Sequence, residues 1–371
     1  MLLNFYRSIF LFFSLITLWS STGLAASPTG LYQTHPIAWM HSLPVGEQPG
    51  WSEQSWFQFE TSLSNIWNSP LTMRDRRNNK QYSYFADFEQ STLIVESGFS
   101  LFERLGVSLV IPYANRYGGN LDGFIHGFHE MLGNRTFNRE YYNSDEHHFS
   151  IKTDGVDYLT EHIPLSANSN LNLKLKLWLL KSDKVDDCAC GLSLGYQAKF
   201  PLDNPTNGGT TGNIDQSFLI YLGSTMGDFG AVWFTAGVTQ LGDNPAFKDW
   251  PRNKELQMYE LSFDFNLSDS WGLTMLARAE SPFLQAKHLE YIDANTDSEI
   301  ISRNRAASGW NSLVRWRGTD SLGLRYKTKG GSYFNLSVVE DWGIGPYDAS
   351  DDIYSNGAPD VNFVLQSRFD F

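Results

Sequence analysis

The chain has 371 residues, a net charge of −13 and a 15% aromatic content that includes 26 Phe, 17 Tyr and 12 Trp. The acidic balance disfavours nucleic acid as a partner. A mean hydropathy of −0.32, with no 18-residue apolar run after the N-terminal segment, excludes a bundle of transmembrane helices.

Met1 to Arg7 carry one positive charge, and Ser8 to Trp19 form an apolar run too short for the roughly 20 residues of a membrane span. Gly23 and Ala25 then fit the small-x-small rule of signal peptidase. Residues 1–26 therefore predict a cleavable signal peptide, with cleavage near Ala25 or Ala26. The rival reading is an N-terminal anchor helix. Residues 27–371 are expected to form one domain, with 27–54 as an N-terminal extension.

From Phe57 onward, period-2 alternation recurs in segments of about ten residues. Phe57, Phe59 and Leu63 begin it, and 84–98 and 105–113 continue it less cleanly. Leu171, Leu173, Leu175, Leu177 and Leu179 alternate with Asn172, Lys174, Lys176 and Trp178. A core helix would scatter leucines spaced i, i+2 around its axis, so a strand is favoured. The same rule holds for 192–200, 218–222, 232–238, 259–267, 271–277, 322–326 and 334–338. It ends with Val361, Phe363, Leu365, Phe369 and Phe371 on one face, Ser367 being the exception, and Asn362, Gln366, Arg368 and Asp370 on the other, with Val364.

The connections alternate between short (near 100–105, 181–187, 227–229, 268–270 and 328–331) and long (near 68–82, 115–168, 201–213, 241–254, 283–309 and 342–360). This rhythm predicts an all-β, antiparallel up-and-down transmembrane β-barrel of about 12 strands, with 10 to 14 as the range. Both termini then fall on the periplasmic side. A soluble β-sandwich would also alternate, but with its charged face outward. An amphipathic last strand ending in Phe371 resembles the signature that outer-membrane proteins of Gram-negative bacteria present to the barrel-assembly machinery. The implied partners are that machinery and outer-membrane lipid.

With the apolar faces toward lipid, the opposite faces line a lumen. The lumen-lining candidates are Lys174, Lys176, Lys199, Glu260, Asp264, Arg278, Glu280, Arg325 and Lys327. Facing hydrocarbon, a Lys or Arg would cost roughly 2–4 kcal/mol at the midplane. Inside, both signs of charge suit either a selective wet passage or a salt-bridged filling.

The long loop 115–168 contains a short predicted helix, Asp122 to Leu132, with Gly133 as its stop. Asp122, His126, His129, Arg135 and Arg139 mark it as a candidate plug or loop motif. A metal centre needs three or more converging ligands. Nothing fixes His147 and His148 near His126 and His129, so no metal or cofactor is expected. Cys188 and Cys190, one residue apart, put their Cα atoms about 7 Å apart on a strand, near the limit for a disulfide. Gly191-Leu192-Ser193-Leu194-Gly195 matches a nucleophile-elbow string, but it lies within an alternating strand with no helix pattern after it. No catalytic residue is assigned.

The run Asp122-x-x-Ile125-x-x-Phe128-His129, with Gly133 and Arg139, resembles an uncharacterised family of exported bacterial proteins, domain of unknown function 3187. Leu43-Pro44-Val45, the stretch Trp51 to Trp67, Glu340-Asp341 and Ala358-Pro359-Asp360 carry the same resemblance. It implies an outer-membrane barrel and supplies no activity and no catalytic residues. The leading functional expectation is a porin-like channel or solute-passage barrel with an unknown solute. The alternatives are a rim enzyme acting on lipid or surface polymer, and a closed barrel whose loops bind a partner. Trp250, Trp310, Tyr347 and Tyr354 are loop aromatics that would serve the last of these.

Overall fold

The structure is a computed structural model. It describes residues 30–50, 55–119, 121, 123–124, 127, 147–159, 166–168, 170–181, 191–292, 312–328, 332–344 and 361–370. The predicted signal peptide, both cysteines, Trp310, Tyr347, Tyr354 and Phe371 lie outside these residues.

Among the described residues, twelve antiparallel strands close into a barrel. They are β1 (Trp56–Asp75), β2 (Gln81–Phe102), β3 (Leu105–Tyr117), β4 (Asn170–Lys181), β5 (Gly191–Pro201), β6 (Asp215–Thr225), β7 (Gly230–Gln240), β8 (Glu255–Asn266), β9 (Trp271–Glu280), β10 (Trp316–Lys327), β11 (Tyr333–Ile344) and β12 (Val361–Asp370). Each pairs with its sequence neighbours, and β1 also pairs with β12 from Trp56↔Asp370 to Asn65↔Val361. That seam leaves no free edge along the wall, so backbone donors and acceptors at hydrocarbon depth are matched.

The alternation works as the sequence predicts. Leu194, Phe218, Leu222, Leu322, Leu336 and Leu365 are exposed, whereas their neighbours Ser193, Ser217, Gly323, Asn335 and Gln366 are buried. At the short-turn end, outward aromatics cluster. The ring centroids of Phe59 and Phe369 are 6.4 Å apart, those of Phe334 and Phe369 5.9 Å, and those of Trp271 and Tyr326 4.9 Å. Such a girdle marks a membrane–water interface.

One predicted connection is corrected. Residues 68–82 are not a long loop, because β1 runs to Asp75 and β2 starts at Gln81. Pro70 has no N–H for the ladder, and a register shift between Asn68 and Leu71 absorbs it while the hairpin continues. The turn closes through Asp75 N–H to Lys80 O (2.9 Å) and Asn79 N–H to Asp75 O (2.8 Å), with Asn79 at φ 61°.

This hairpin rises above the wall, and the long loops fold onto it. The short strand His148–Thr153 pairs with the top of β2, and Leu289–Tyr291 with the top of β1. Tyr82, Tyr84, Phe149, Phe247, Trp250 and Phe283 bury one continuous apolar cap at the long-loop end. Trp250 is therefore not an exposed loop aromatic, being 4% exposed with its Nε1 donating to Thr153 Oγ1 (3.1 Å). Lys80 Nζ donates to Asp249 Oδ2 (2.7 Å) and holds that carboxyl below the usual carboxylate range.

The outward face sets the first expected outcome. Leu322 sits at mid-height opposite Met275 and Val338. Leu322→Arg should destabilise the barrel by about 2–4 kcal/mol, and Leu267→Arg in a short turn by about 0–1 kcal/mol. Urea titration of the folded protein in lipid bilayers measures both.

Candidate functional site

The lumen is occupied by the chain's own N-terminal segment. Every residue from Gly30 to Gly50 is buried except half-buried Ser42. From Gly30 the segment climbs toward the long-loop end, turns through a short helix α1 (Pro36–His41) and descends to the short-turn end. Sequence explains the turn. Pro36 sits at the first helical position, where a missing N–H costs nothing, and His35 Nδ1 accepts from Ile37 N–H (3.2 Å). Ser42 ends the helix at φ 45°, its N–H bonded to Trp39 O (3.0 Å). The two legs meet where Gly30 N–H donates to Gly46 O (2.6 Å). A Cβ on Gly30 would strike the Gly46 carbonyl oxygen, so glycine is needed for this approach.

Polar contacts tie the segment to strands all around the wall. Tyr32 N–H donates to Glu60 on β1 (3.2 Å) and Tyr32 OH to Glu96 on β2 (3.3 Å). Gln33 donates to Thr319 on β10 (3.2 Å), and Gln366 on β12 donates to Gly30 O (3.3 Å). Gly46 N–H donates to Glu260 on β8 (3.1 Å) and Glu47 N–H to Thr235 on β7 (3.3 Å). On β5, Ser193 Oγ donates to Pro49 O (2.6 Å), Gln197 to Ser42 O (2.7 Å) and Lys199 Nζ to Met40 O (3.3 Å). Most of these bonds use the segment's backbone, and the wall supplies the side chains.

The predicted lumen charges fall into tiers. Nearest the long-loop end, Asp215 pairs with Lys199 and with His41 Nδ1 (3.2 Å). Also toward that end of their strands, Arg278 bonds Glu280 and reaches Glu260 (3.5 Å), and Glu280 also bonds Arg317. Below them, Lys174 Nζ lies 2.8 Å from Glu47 Oε1 and 3.0 Å from Glu96 Oε1, and Lys176 Nζ lies 2.9 Å from Glu47 Oε2. Nearest the short turns, Arg325 pairs with Asp264 (3.1 Å). Eight of the nine candidates are buried; Lys327, at the end of β10, is half-buried. Beside Gly30 and Leu31 remains a cavity of about 20 Å³, room for a single water.

Glu47 is the residue that sequence reading missed. Between Gly30 and Gly50 it is the only Asp, Glu, Lys or Arg. That solitary charge in a segment preceding a charge-lined barrel is the signal that was available. Asp122, His126, His129, Arg135 and Arg139, the predicted plug motif, lie outside the described residues. Of that stretch, Phe124 is 56% exposed, and its ring centroid is 6.1 Å from that of Phe363 on β12. Ser193 lies on β5 with its hydroxyl bound to Pro49 O, in a strand and not at a strand-to-helix elbow.

An apolar outer band, paired charges inside and a closed antiparallel wall define an outer-membrane β-barrel. More narrowly, the chain belongs to the family described as a protein of unknown function, DUF3187, whose model matches residues 8–296. Glu340-Asp341 and Ala358-Pro359-Asp360 lie beyond that match.

The fold is similar to that of the COG4313 outer membrane channel from Pseudomonas putida F1, with a TM-score of 0.51, 8% identity, and coverage of 89% of this chain and 100% of that one. A Pseudomonas aeruginosa FadL homologue aligns with a TM-score of 0.39 at 9% identity, covering 94% of this chain and 100% of that one. The P. putida toluene transporter TodX aligns with a TM-score of 0.37 at 8% identity, covering 91% and 93%. No curated protein matches the chain.

Removing one partner of a buried ion pair leaves the other charge uncompensated, at about 3–5 kcal/mol. Glu47→Ala should therefore loosen residues 30–50 without opening the wall. Hydrogen exchange of those amides should accelerate on the order of 100-fold or more, while amides of β8 and β9 keep their protection. Exchange mass spectrometry of the lipid-embedded protein tests this.

Proposed function

We propose that the protein is a solute-passage barrel of the outer membrane, held shut in this structure by residues 30–50. The observation that carries the proposal is the nature of the filling. A core meant only to stabilise a barrel would come from the wall's own side chains. Here the wall is charged, and the space is taken by a chain segment that precedes β1 and is held mainly through its backbone. When that segment leaves, water can satisfy Ser193, Gln197 and the other wall donors, and the cross-strand pairs of Arg278 and Arg325 stay within the wall. A wet, charge-lined passage results, whose ion preference follows its lining.

Residues 1–26 would direct export, and the last strand with Phe371 would engage the assembly machinery. The short-turn end would face the periplasm, the usual orientation of such barrels. A second reading is favoured by the apolar cap. If Phe247, Trp250 and Tyr82 seal the long-loop end permanently, the barrel is a closed surface structure.

Planar-bilayer recording separates the two. The full chain should be mostly silent with rare openings, Glu47→Ala should open more often, and a deletion of residues 30–50 should conduct steadily. Silence of all three proteins, with a folded barrel confirmed by heat-modifiable gel mobility, would reject passage and leave the closed-barrel reading.

A further inference from the structure

We infer that the ground between Lys174 and Lys176 is a binding site for a solute carboxylate on a small apolar body, which Glu47 fills from within when the barrel is shut. The inference deepens the passage reading and rests on it.

The geometry around Glu47 is that of a built anion site. One carboxylate oxygen lies 2.8 Å from Lys174 Nζ and the other 2.9 Å from Lys176 Nζ, and all three side chains are nearly excluded from solvent. Charge-assisted contacts of this length are the strong ones. Lys174 has a second counter-ion in Glu96 on the wall, and Lys174 and Lys176 share the Glu47 carboxylate. Lys176 Nζ also donates to Gln48 O, which leaves with the same segment. The two lysines are i, i+2 on β4, so both face inward whether or not the segment is present.

The wall beside them is apolar, which selects the body of the ligand. Lys176 Nζ stands 4.6 Å from the Tyr221 ring centroid, and Tyr221 packs with Leu219 and Met258 in a small buried patch. Gly195, the next strand's residue at that level, has no side chain; a Cβ there would collide with the Tyr221 ring. The ring occupies the space that a side chain at Gly195 would take. Thr235 Oγ1 adds a polar group at the same height, now accepting from Glu47 N–H. Together these groups suit a monocarboxylate with a short aliphatic or aromatic body, lying against Tyr221 with its charge on the lysines.

A solute with this chemistry competes with Glu47, so its entry weakens the hold of the segment that blocks its path. Only a ligand with different affinities for the shut and open states shifts that balance, and the shared carboxylate site supplies the difference.

The test uses the full chain in lipid nanodiscs with benzoate as probe and benzamide, its neutral counterpart, as control. In the wild type, benzoate should speed amide exchange of the lower leg, residues 45–50, several-fold with saturation, while benzamide should not. Glu47→Gln removes the internal competitor and keeps the segment's length and shape. Its benzoate affinity by titration calorimetry should rise about tenfold. Lys174→Met with Lys176→Met should abolish the distinction between benzoate and benzamide.

Equal effects of the two probes on wild type and Glu47→Gln would overturn the site. So would a saturable benzoate effect that survives loss of both lysines. Neither readout depends on conductance. A protein that binds benzoate but never conducts refutes passage and keeps the site; one that conducts and ignores benzoate does the reverse.

Discussion

Closure of the β1–β12 seam is the constraint from which the remaining features follow. A strand edge in hydrocarbon would leave a row of unmatched backbone groups, each costing several kcal/mol. Ten consecutive register pairs, from Trp56↔Asp370 to Asn65↔Val361, remove that edge. Closure then creates two surfaces of opposite character from one alternating sequence. The outer surface takes the leucines and phenylalanines, and the inner takes the lysines, arginines and carboxylates. The inner set cannot be apolar without losing the contrast that fixes register, because a one-residue slip would exchange the two faces.

An inner surface with so many charges must be either hydrated or paired, and this lumen is paired. Two kinds of pairing coexist. Glu260 and Arg278 face each other directly across β8 and β9, and Arg325 reaches Asp264, so both partners of these pairs belong to the wall. Lys174 and Lys176 are different, since their common partner Glu47 comes from a segment that is not part of the wall. Buried ion pairs contribute little net stability but are costly to break on one side. The wall pairs therefore specify the barrel, and the Glu47 pair specifies where the segment rests.

What was legible in the sequence divides along the same line. Period-2 alternation reports which face each strand residue occupies, so the strand positions and the inward set from Lys174 to Arg325 could be read locally. The first hairpin could not be read through 68–82, because Pro70 breaks the ladder and a bulge within a long hairpin has no local signature. The filling segment was not legible at all. It has no periodicity, and Glu47 meets Lys174 across 127 residues, a contact that exists only once the barrel has closed. The loop helix drew attention because its spacing is regular, but regular spacing reports local geometry and not which piece of chain enters the lumen.

The two ends of the filling segment are held by different physics, and this bears on how it could leave. At the long-loop end, Ile37, Ala38, Met40 and Leu43 belong to the same apolar cluster as Phe247 and Trp250. Withdrawing them exposes apolar surface on both sides, at roughly 25 cal/mol per Å², a cost that no small anion can offset. At the short-turn end the hold is Glu47 on its lysines and Pro49 O on Ser193, interactions that water, salt or a competing carboxylate can replace. Release is therefore easiest from the short-turn end. The upper helix and the apolar cap behave as one unit, since neither can move without uncovering the other. A passage that opens by partial release would lose the lower leg first, with Lys174, Lys176 and Tyr221 as the first surface a solute meets.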